Sequence, residues 1–443
     1  MDMTAGKPLK LLVVFALPLM FGNVFQQLYT VVDTAIVGQG VGMDALAALG
    51  TVDWFNWMML GIAQGYTQGF SVRISQKYGE RDISGMQKVI GRSASLSIVI
   101  AVIGTIMGQA ALAPFLVMLR APNEVIGMAT LYSRIIVAGF PAVVFYNYCA
   151  SVLRAVGDSK TPLKAMMAAS VTNIVLDVLA VFVLHWGIAG AAFATVFAQC
   201  LAGGICAVKI RRTEELHFGK AEMERDVNLS KNLIYIGTPA AMKNIIIALG
   251  GMVVQSIVNG FGMVFIAGFT ATNKLYGLLE IAAISYGYAI TTYVGQNYGA
   301  KNVKRIKSGV RASVVLSVAT SVVISTLMFL FGRQITMLFI SSDVPELAAA
   351  AGNTAYLYLC VMSVCLPILY LLHVFLSALQ GMGNTVIPMV SGVIEFVMRV
   401  GISIAVGITR FENGIFAAEV VAWTGAASYL YVNYRKKISL LSK

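Results

Sequence analysis

Three polar residues within otherwise apolar segments have the types and spacing of an ion site. Asp33 lies deep in the first apolar segment, and Asn173 and Asp177 lie four residues apart in the fifth. On a helix that spacing places Asn173 and Asp177 on one face, as oxygen ligands for a hard cation or as a carboxyl whose proton is held by an amide. If Asp33 and Asp177 meet in a low dielectric, one takes up a proton or the pair takes up Na+. The alternative is a pair of structural carboxyls that backbone and hydroxyl groups satisfy.

The second half of the chain has a different set of charges in its apolar segments, where each costs about 2.5–3.5 kcal/mol on insertion scales. Glu395 and Arg399 are four residues apart, and we predict a structural ion pair that neutralises both. Lys274 and Glu280 share one helix and are predicted to face a cavity. For His373, a hydrogen-bonded packing role is favoured over proton relay.

The composition requires a membrane environment for these residues. Hydrophobic residues make up 58% of the chain, charged residues only 12%, and the mean hydropathy is +0.79, whereas charge alone is about 25% of a soluble domain. Apolar stretches long enough to cross a bilayer recur twelve times, and alternating strand patterns are not evident. The predicted spans are 11–38, 46–72, 93–119, 127–153, 162–184, 188–208, 232–258, 263–294, 310–340, 348–380, 386–408 and 414–434. We therefore predict an all-α polytopic membrane protein.

The basic residues fall on alternate connecting segments and predict the orientation. With the amino terminus inside, the inner segments hold nearly all of the lysines and arginines near the spans, and the outer ones offer only Arg120, Arg333 and Arg410. We therefore expect a multi-pass protein of the cell membrane with both termini in the cytoplasm. The net charge of +12 then faces anionic lipid headgroups and not nucleic acid.

Two phrases repeat along the chain and indicate an internal duplication. Residues 76–82 return as 296–302, and residues 151–158 return as 377–384. One long polar stretch divides six spans from six, which predicts an amino-terminal lobe at 1–210, a cytoplasmic linker at 211–230 and a carboxy-terminal lobe at 231–443. Because each half has an even number of spans, the lobes are expected to be related by a pseudo-two-fold axis along the membrane normal, with a central cleft.

The whole chain resembles the multidrug and toxic compound extrusion (MATE) transporters, which belong to the wider MOP flippase superfamily. The resemblance rests on Val32-Asp33-Thr34 with Gly38, Arg154-Ala155-Val156-Gly157-Asp158 with Pro162, Asn173-Ile174-Val175-Leu176-Asp177, and Gln296-Asn297-Tyr298-Gly299-Ala300. It implies an antiporter that exports amphipathic, usually cationic organic compounds in exchange for H+ or Na+ by alternating access.

The resemblance also implies roles for individual residues. The family's cation site falls on Asp33, Asn173, Asp177 and Thr195, its neighbours on Tyr29 and Asn147, and the bending proline on Pro18. In some branches the coupling acids lie in the seventh, eighth and tenth helices. Here the seventh helix carries Lys243 and no acid, and only Glu280, in the eighth helix, matches one of these acids. This departure favours coupling through the amino-terminal lobe, as in the DinF-type branch.

The residues also bear on three other functions. A flippase for a lipid-linked precursor is the alternative within the same architecture, and it needs cations such as Arg134, Lys243, Lys274 and Arg399 to hold pyrophosphate. An enzyme is disfavoured because no metal-ligand cluster or Gly-x-Ser-x-Gly turn is evident, and an ATP-driven pump because no phosphate-binding loop is evident. We expect no cofactor, no resident metal other than a possible Na+ at the Asp33 site, and no obligate protein partner.

Overall fold

The computed structural model describes residues 1–118, 123–337 and 345–442, and this part of the chain is helical without a strand. The α-helices are α1 (Pro8–Gly40), α2 (Met43–Gly79), α3 (Ile83–Met118), α4 (Asn123–Ala138), α5 (Phe140–Ala155), α6 (Lys160–Val178), α7 (Gly187–Arg212), α8 (Val227–Val258), α9 (Met263–Gly299), α10 (Val303–Met337), α11 (Pro345–Gly381), α12 (Val386–Thr409) and α13 (Phe416–Leu440). A π turn covers Leu179–Val183, and short 3-10 turns cover Glu214–Leu216 and Glu412–Ile415. The predicted all-α class is confirmed.

The helices account for the twelve predicted crossings. Within the described residues, ten helices are long and apolar enough to span a membrane, and α4 with α5 makes an eleventh as a bent pair. The helix α9 has 37 residues but is not among them, because polar residues such as Lys274 and Glu280 interrupt its apolar sequence. With α9, the count is twelve.

The fourth span is bent by 45° between α4 and α5. The break lies at Gly139, and Pro141 is the second residue of α5, where its missing N–H costs nothing. A side chain at Gly139 would clash with Val196 of α7, so the bend also lets these helices approach closely. The bend of the fourth span therefore coincides with Gly139 and Pro141.

By its internal contacts the chain forms two compact units. The amino-terminal unit comprises Met1–Met3 with Leu17–Ile245, and the carboxy-terminal unit comprises Thr4–Ala16 with Ile246–Lys443. The helices α1 and α8 each contribute to both units, so the division lies inside two helices and not in the polar stretch 211–230. The predicted lobes are defined by the sequence repeat, whereas these two units are defined by contacts between residues.

The polar stretch packs onto the amino-terminal unit. Arg92 of α3 donates from Nε to Ser230 Oγ at 2.6 Å and from Nη1 to the carbonyl of Met223 at 3.4 Å, and Ser95 Oγ also donates to that carbonyl, at 3.2 Å. A Cβ at Gly91 would lie 2.6 Å from the backbone of Glu222. The linker is therefore fixed along α3.

The core of the amino-terminal unit joins α2, α3, α5 and α7 through fully buried apolar side chains such as Phe70, Ile74, Ile90 and Leu153. The hydroxyl of Tyr148 donates to the carbonyl of Ile90 at 2.7 Å and satisfies one polar group within this core.

The core of the carboxy-terminal unit is aromatic. Tyr358 of α11 stacks between Phe269 of α9, at 5.0 Å between ring centroids, and Phe416 of α13, at 4.7 Å. Thr272 Oγ1 donates to the carbonyl of Ala355 at 2.8 Å and joins α9 to α11 a second time. These contacts hold α9, α11 and α13 together around the charged residues described below.

The repeated phrases fold into matching turns. At the first repeat, Arg81 and Lys301 both adopt a left-handed conformation, with φ of 59° and 54°. The residue that follows each of them caps the next helix. Asp82 Oδ1 accepts from the N–H of Gly85 at 2.8 Å, and Asn302 Oδ1 accepts from the N–H of Arg305 at 3.1 Å. Hydrogen bonds from the Lys77 ammonium and from Gly85 hold the pKa of the Asp82 carboxyl below its usual value.

The second repeat behaves in the same way. Gly157 and Gly383 have φ of 85° and 79°, a conformation that glycine adopts without strain. Asp158 Oδ1 then accepts from the N–H of Thr161 at 3.0 Å, and Asn384 Oδ1 from the N–H of Ile387 at 3.1 Å. The duplication seen in the sequence is thus a duplication of helix ends and helix starts.

Candidate functional site

Asn173 and Asp177 lie on the buried face of α6, and neither is exposed to solvent. With its amide oriented to suit its neighbours, Asn173 donates from Nδ2 to Asp177 Oδ2 at 3.2 Å and accepts from the backbone N–H of Thr195 at 3.3 Å. The i, i+4 pair expected from the sequence therefore forms, and it is tied to α7 through Thr195.

Asp33 of α1 completes the acidic pair. Its side chain is only 7% exposed, and its carboxyl lies within hydrogen-bonding reach of the carboxyl of Asp177. In each residue Oδ1 is buried without a hydrogen-bond partner. Two carboxyls this close in an apolar surrounding share a proton or a cation, because two bare negative charges would repel each other strongly.

The helix α7 adds two further oxygens. Thr195 Oγ1 and Gln199 Oε1 are both buried and lack a hydrogen-bond partner. The amide of Gln199 lies within hydrogen-bonding reach of the Tyr29 hydroxyl, which links α7 to α1. Carboxylate, hydroxyl and amide oxygens are the ligands that hard cations prefer. The donor set therefore fits Na+ as well as a proton.

Sequence reasoning did not find Gln199. Its signal was available, because Thr195 and Gln199 are four residues apart in an apolar helix, the same spacing as Asn173 and Asp177. Tyr132 of α4 was also missed; it is buried and lies within electrostatic range of Asp33 and Asp177. Nothing in its local sequence marks it.

Two residues expected near the site have different surroundings. Tyr29 is next to it, as its contact with Gln199 shows. Asn147 is buried in α5, but its Nδ2 donates to the carbonyl of Val143 in its own helix at 2.8 Å. The expected contribution of Asn147 to ion binding stays a prediction.

A π turn fixes the end of α6 directly after Asp177. Within Leu179–Val183 the hydrogen bonds reach five residues back, as from the N–H of Leu184 to the carbonyl of Leu179 at 2.8 Å. The turn packs against α1, where a Cβ at Gly40 would clash with Val181. It also packs against α7, where a Cβ at Gly190 would lie 2.7 Å from that of Ala180. Such turns are frequent at functional sites, and this one positions Asp177 between α1 and α7.

Pro18 lies inside α1, two residues beyond Ala16, where the helix passes from one compact unit to the other. Because proline lacks an N–H, the carbonyl of Val14 loses its helical partner and the helix is weakened locally. The hinge role of Pro18 stays a prediction.

In the carboxy-terminal unit, Arg399 of α12 lies between two carboxylates. Its Nη2 is 2.7 Å from Glu419 Oε2 of α13 and 3.8 Å from Glu395 Oε2 of its own helix. The expected contact with Glu395 is present, but the closer partner is Glu419, which the sequence did not pair with it. Glu419 is the closer partner because α13 brings its carboxylate nearer to the Arg399 guanidinium than Glu395, one turn earlier in α12, can reach.

Glu280 of α9 contacts His373 of α11, with 3.2 Å between Oε1 and Nε2. Their side chains are 24% and 17% exposed, respectively. Lys274 is exposed and lies on another face of α9, so the structure does not bring it to Glu280. The shared cavity expected for Lys274 and Glu280 stays a prediction.

Known proteins resemble this chain over most of its length. Residues 18–179 and 239–404 match the MatE family. The chain is 30% identical over 345 residues to the probable multidrug resistance protein YpnP of Bacillus subtilis, covering 77% of this chain and 76% of that protein. It is 25% identical to the probable multidrug resistance protein NorM of Thermotoga maritima, covering 86% and 82% of the two chains. The fold matches that of a MOP superfamily transporter from Pyrococcus furiosus with a TM-score of 0.93 at 24% identity, over 100% and 98% of the chains.

Proposed function

The chain belongs to the MATE family of membrane transporters, and we propose from this premise that it is a secondary active antiporter. It exports amphipathic organic compounds, mainly cations, in exchange for H+ or Na+. The names of YpnP and NorM, both probable multidrug resistance proteins, support a drug-like substrate.

The observation that carries the proposal is the contact between the carboxyls of Asp33 and Asp177. They belong to different helices, and their repulsion in a low dielectric is relieved when an ion binds between them. Ion binding therefore changes the relative stability of arrangements of α1 and α6. A ligand can shift a conformational equilibrium only through such a difference in affinity.

Exchange follows if ion and substrate stabilise different states of the protein. Each ligand then lowers the apparent affinity for the other by the same factor, as linkage requires. The ion enters from the side where it is abundant, and its binding favours the state that has released the substrate. Asn173 holds Asp177 in place for either ion, because its amide donates to Oδ2 and leaves Oδ1 for the ion.

The identity of the ion divides the residues of the site. A proton needs only the two carboxyls, whereas Na+ also draws on the oxygens of Thr195 and Gln199. Thr195→Val and Gln199→Leu should therefore reduce transport driven by Na+ and spare transport driven by a proton gradient.

The test is substrate export from proteoliposomes under a pH gradient or a Na+ gradient, each imposed alone. The proposal expects export with one gradient and its loss in Asp33→Asn and Asp177→Asn. Asp158→Asn, at a helix start outside the site, is the matched control for removal of a carboxylate. Unchanged ion-dependent export in both site variants would show that the coupling site is elsewhere.

The expected orientation is part of the proposal. Both termini lie in the cytoplasm of a cell-membrane protein if the basic segments follow the positive-inside rule. Labelling of single cysteines placed at Lys437 and at Phe411 with an impermeant reagent on intact cells should modify only the second.

The flippase alternative receives less support from the charges. Of the four cations on which a pyrophosphate site would depend, Arg399 contacts two carboxylates. Arg134 and Lys274 are exposed side chains on different helices. Binding of a lipid pyrophosphate to the purified protein, lost on replacing Lys243 and Lys274 by Gln, would favour the flippase.

A further inference from the structure

The helix α2 of the amino-terminal unit has an open polar face that the proposed exchange at Asp33 and Asp177 does not use. Asp53 and Trp57 lie four residues apart on this face, and Gln64 and Gln68 continue it toward the carboxyl end of the helix. Asp53 is exposed, Trp57 is 44% exposed, and the two glutamines are half-buried. The composition of this face indicates what it borders.

A comparison with α3 shows that hydrocarbon is a poor neighbour for the polar face of α2. Along the exposed face of α3 lie Ile98, Val102 and Ile106, each more than half exposed, as contact with lipid chains requires. On α2 a carboxylate and two amides take the corresponding positions, and such groups are costly against hydrocarbon. This face of α2 therefore borders water or a polar ligand and not lipid.

Trp57 lies too deep to be an aromatic anchor at the membrane surface. The predicted span of α2 begins at residue 46, and a rise of about 1.5 Å per residue places Trp57 about 16 Å inside it. Since the hydrocarbon core is about 30 Å thick, this depth is close to its middle. The tryptophans that anchor helices to lipid headgroups lie at the two surfaces of the core. Trp57 therefore has a different role.

Asp53 and Trp57 together have the chemistry of a site for an organic cation. They are neighbours on one helix face, and the ring of Trp54 meets that of Trp57 edge-on, with 6.2 Å between ring centroids. A carboxylate attracts positive charge, and the face of an indole binds a cation that carries apolar groups. A quaternary ammonium or phosphonium group gains from both side chains, whereas an anion is repelled by both.

The duplicated helix indicates that the framework does not require this pair. Met43–Gly79 and Met263–Gly299 both have 37 residues and match residue for residue, since both end in the repeated phrase. The positions that match Asp53, Trp54 and Trp57 carry neither an acid nor an aromatic ring. They are Asn273, Lys274 and Gly277. The carboxylate and the two indoles are therefore specific to the amino-terminal half.

The pair also lies near the candidate ion site. Tyr132 of α4 is within electrostatic range of Asp53 and of both Asp33 and Asp177. A cation held at Asp53 and an ion held between Asp33 and Asp177 repel each other, so each lowers the affinity for the other. Two cations can thus compete without sharing a ligand.

We infer that Asp53 and Trp57 form the subsite for the positive charge of the transported compound, and that this compound is a lipophilic monocation. Binding of the cation is a property of α2 alone. That the bound cation is also the exported one rests on the proposed antiport.

The test compares two probes of the same shape and opposite charge, tetraphenylphosphonium and tetraphenylborate. Equilibrium binding of each is measured on the full-length protein in nanodiscs without an ion gradient, with the signal of empty nanodiscs subtracted. We expect the parent to bind the phosphonium at least about 10-fold more tightly than the borate, and Asp53→Asn to remove most of this preference. Asp44→Asn is the matched control, because Asp44 is exposed nine residues earlier, on the opposite side of the same helix. It should keep the preference.

The indole is tested in a second set of variants. Trp57→Leu should weaken binding of the phosphonium about 5-fold, and Trp57→Phe should restore part of it, since a phenyl ring keeps the π face. Trp186→Leu, directly before α7 at a side chain that is 58% exposed, is the matched tryptophan control and should bind as the parent does. The ratio of the two affinities is read in every variant, because a defect in folding weakens binding of both probes alike.

Three results would overturn the inference. The first is a parent that binds the phosphonium no more tightly than the borate, and the second is an unchanged preference in Asp53→Asn. The third is an equal loss of preference in Asp44→Asn and Asp53→Asn, which would be a general effect of surface charge.

These outcomes separate the inference from the proposed function. Export that depends on no ion gradient, with the preference for the phosphonium intact, removes the antiport and leaves the cation site. Ion-driven export that is lost in Asp177→Asn, with equal binding of the two probes by the parent, leaves the antiport and removes the cation site.

Discussion

The helices α6 and α12 occupy the same place in the two halves of the chain and carry opposite chemistry. Asn173 follows Gly157 by sixteen residues, and Arg399 follows Gly383 by sixteen; Asp177 and Ser403 likewise match. In the first half an amide supports a pair of carboxyls that need an added positive charge. In the second half a guanidinium supplies that charge permanently, between Glu395 and Glu419.

Asp177 and Ser403, one helical turn further on, also differ in whether their side chains have hydrogen-bond partners. Ser403 Oγ donates to the carbonyl of Arg399 at 2.8 Å, so it is satisfied within its own helix. Asp177 keeps one oxygen without a partner. The comparison teaches that duplication preserved the helix framework, while divergence left two neighbouring carboxyls in one half and gave the other half a cation of its own.

The largest expected effect tests the fixed cation. Arg399→Met removes the guanidinium that contacts Glu419 and Glu395, and removing one partner of a buried ion pair destabilises a protein by about 3–5 kcal/mol. The measurement is unfolding in denaturant, followed by the fluorescence of the purified protein. Adding Glu419→Gln to Arg399→Met should restore much of the stability. If Arg399→Met is as stable as the parent, the guanidinium is not what holds this region together.

The second prediction tests the exchangeable ion. Asp177→Asn keeps the size of the side chain and removes its charge, and we expect ion-driven export to fall by at least about 100-fold, since even supporting groups of ion sites are worth 10–100-fold. Proteoliposome export measures it. Ser403→Ala, at the matching position, should export normally; a comparable loss there would mean that the two halves share the ion-binding role.

The third prediction concerns the amide. Asn173→Ala removes the donor to Asp177 Oδ2, and we expect the ion concentration for half-maximal export to rise about 10-fold, as for loss of a supporting group. Asn433→Ala serves as the matched control, because the amide of Asn433 donates to the carbonyl of Tyr429 in its own helix at 2.9 Å. Equal effects of the two substitutions would remove the distinction drawn between them.

The smallest expected effect tests what the halves share. Gly383→Ala places a side chain at a φ of 79° and should lower the free energy of unfolding by about 1–2 kcal/mol. The substitution strains a turn that both halves share and that lies outside the candidate ion site. The ion dependence of export should therefore stay unchanged. A shifted ion dependence in Gly383→Ala would indicate that the turn communicates with the ion site.

The sequence predicted the helices well because a bilayer demands long apolar segments. The predicted span 11–38 corresponds to Pro8–Gly40, but 46–72 corresponds to the longer Met43–Gly79. Composition detects only the part of a helix in hydrocarbon, whereas the backbone hydrogen bonds continue into the polar region. The predicted helices were therefore too short at the ends that extend beyond the hydrocarbon.

Spacing along one helix predicted the contact of Asn173 with Asp177, but spacing alone could not pair residues that lie on different helices. The spacing of Asn173 and Asp177 fixes a common face, and the structure shows their contact. The contacts of Arg399 with Glu419 and of Glu280 with His373 depend on how neighbouring helices are rotated. Helical periodicity gives the direction of each side chain from its own axis but not the identity of the helix that it meets.

The π turn that follows Asp177 sets the register between the two helices that flank it. A turn of this kind holds an additional residue compared with an α-helical turn, and deletion of one residue would tighten it into ordinary helix. Each residue of an α-helix advances the chain by about 100° and 1.5 Å, so the deletion would rotate Thr195 and Gln199 away from Asp177 as a block. The length of Leu179–Val183 therefore sets the rotation of α7 relative to Asp177, and a single deletion there would change that rotation without replacing Asp177, Thr195 or Gln199.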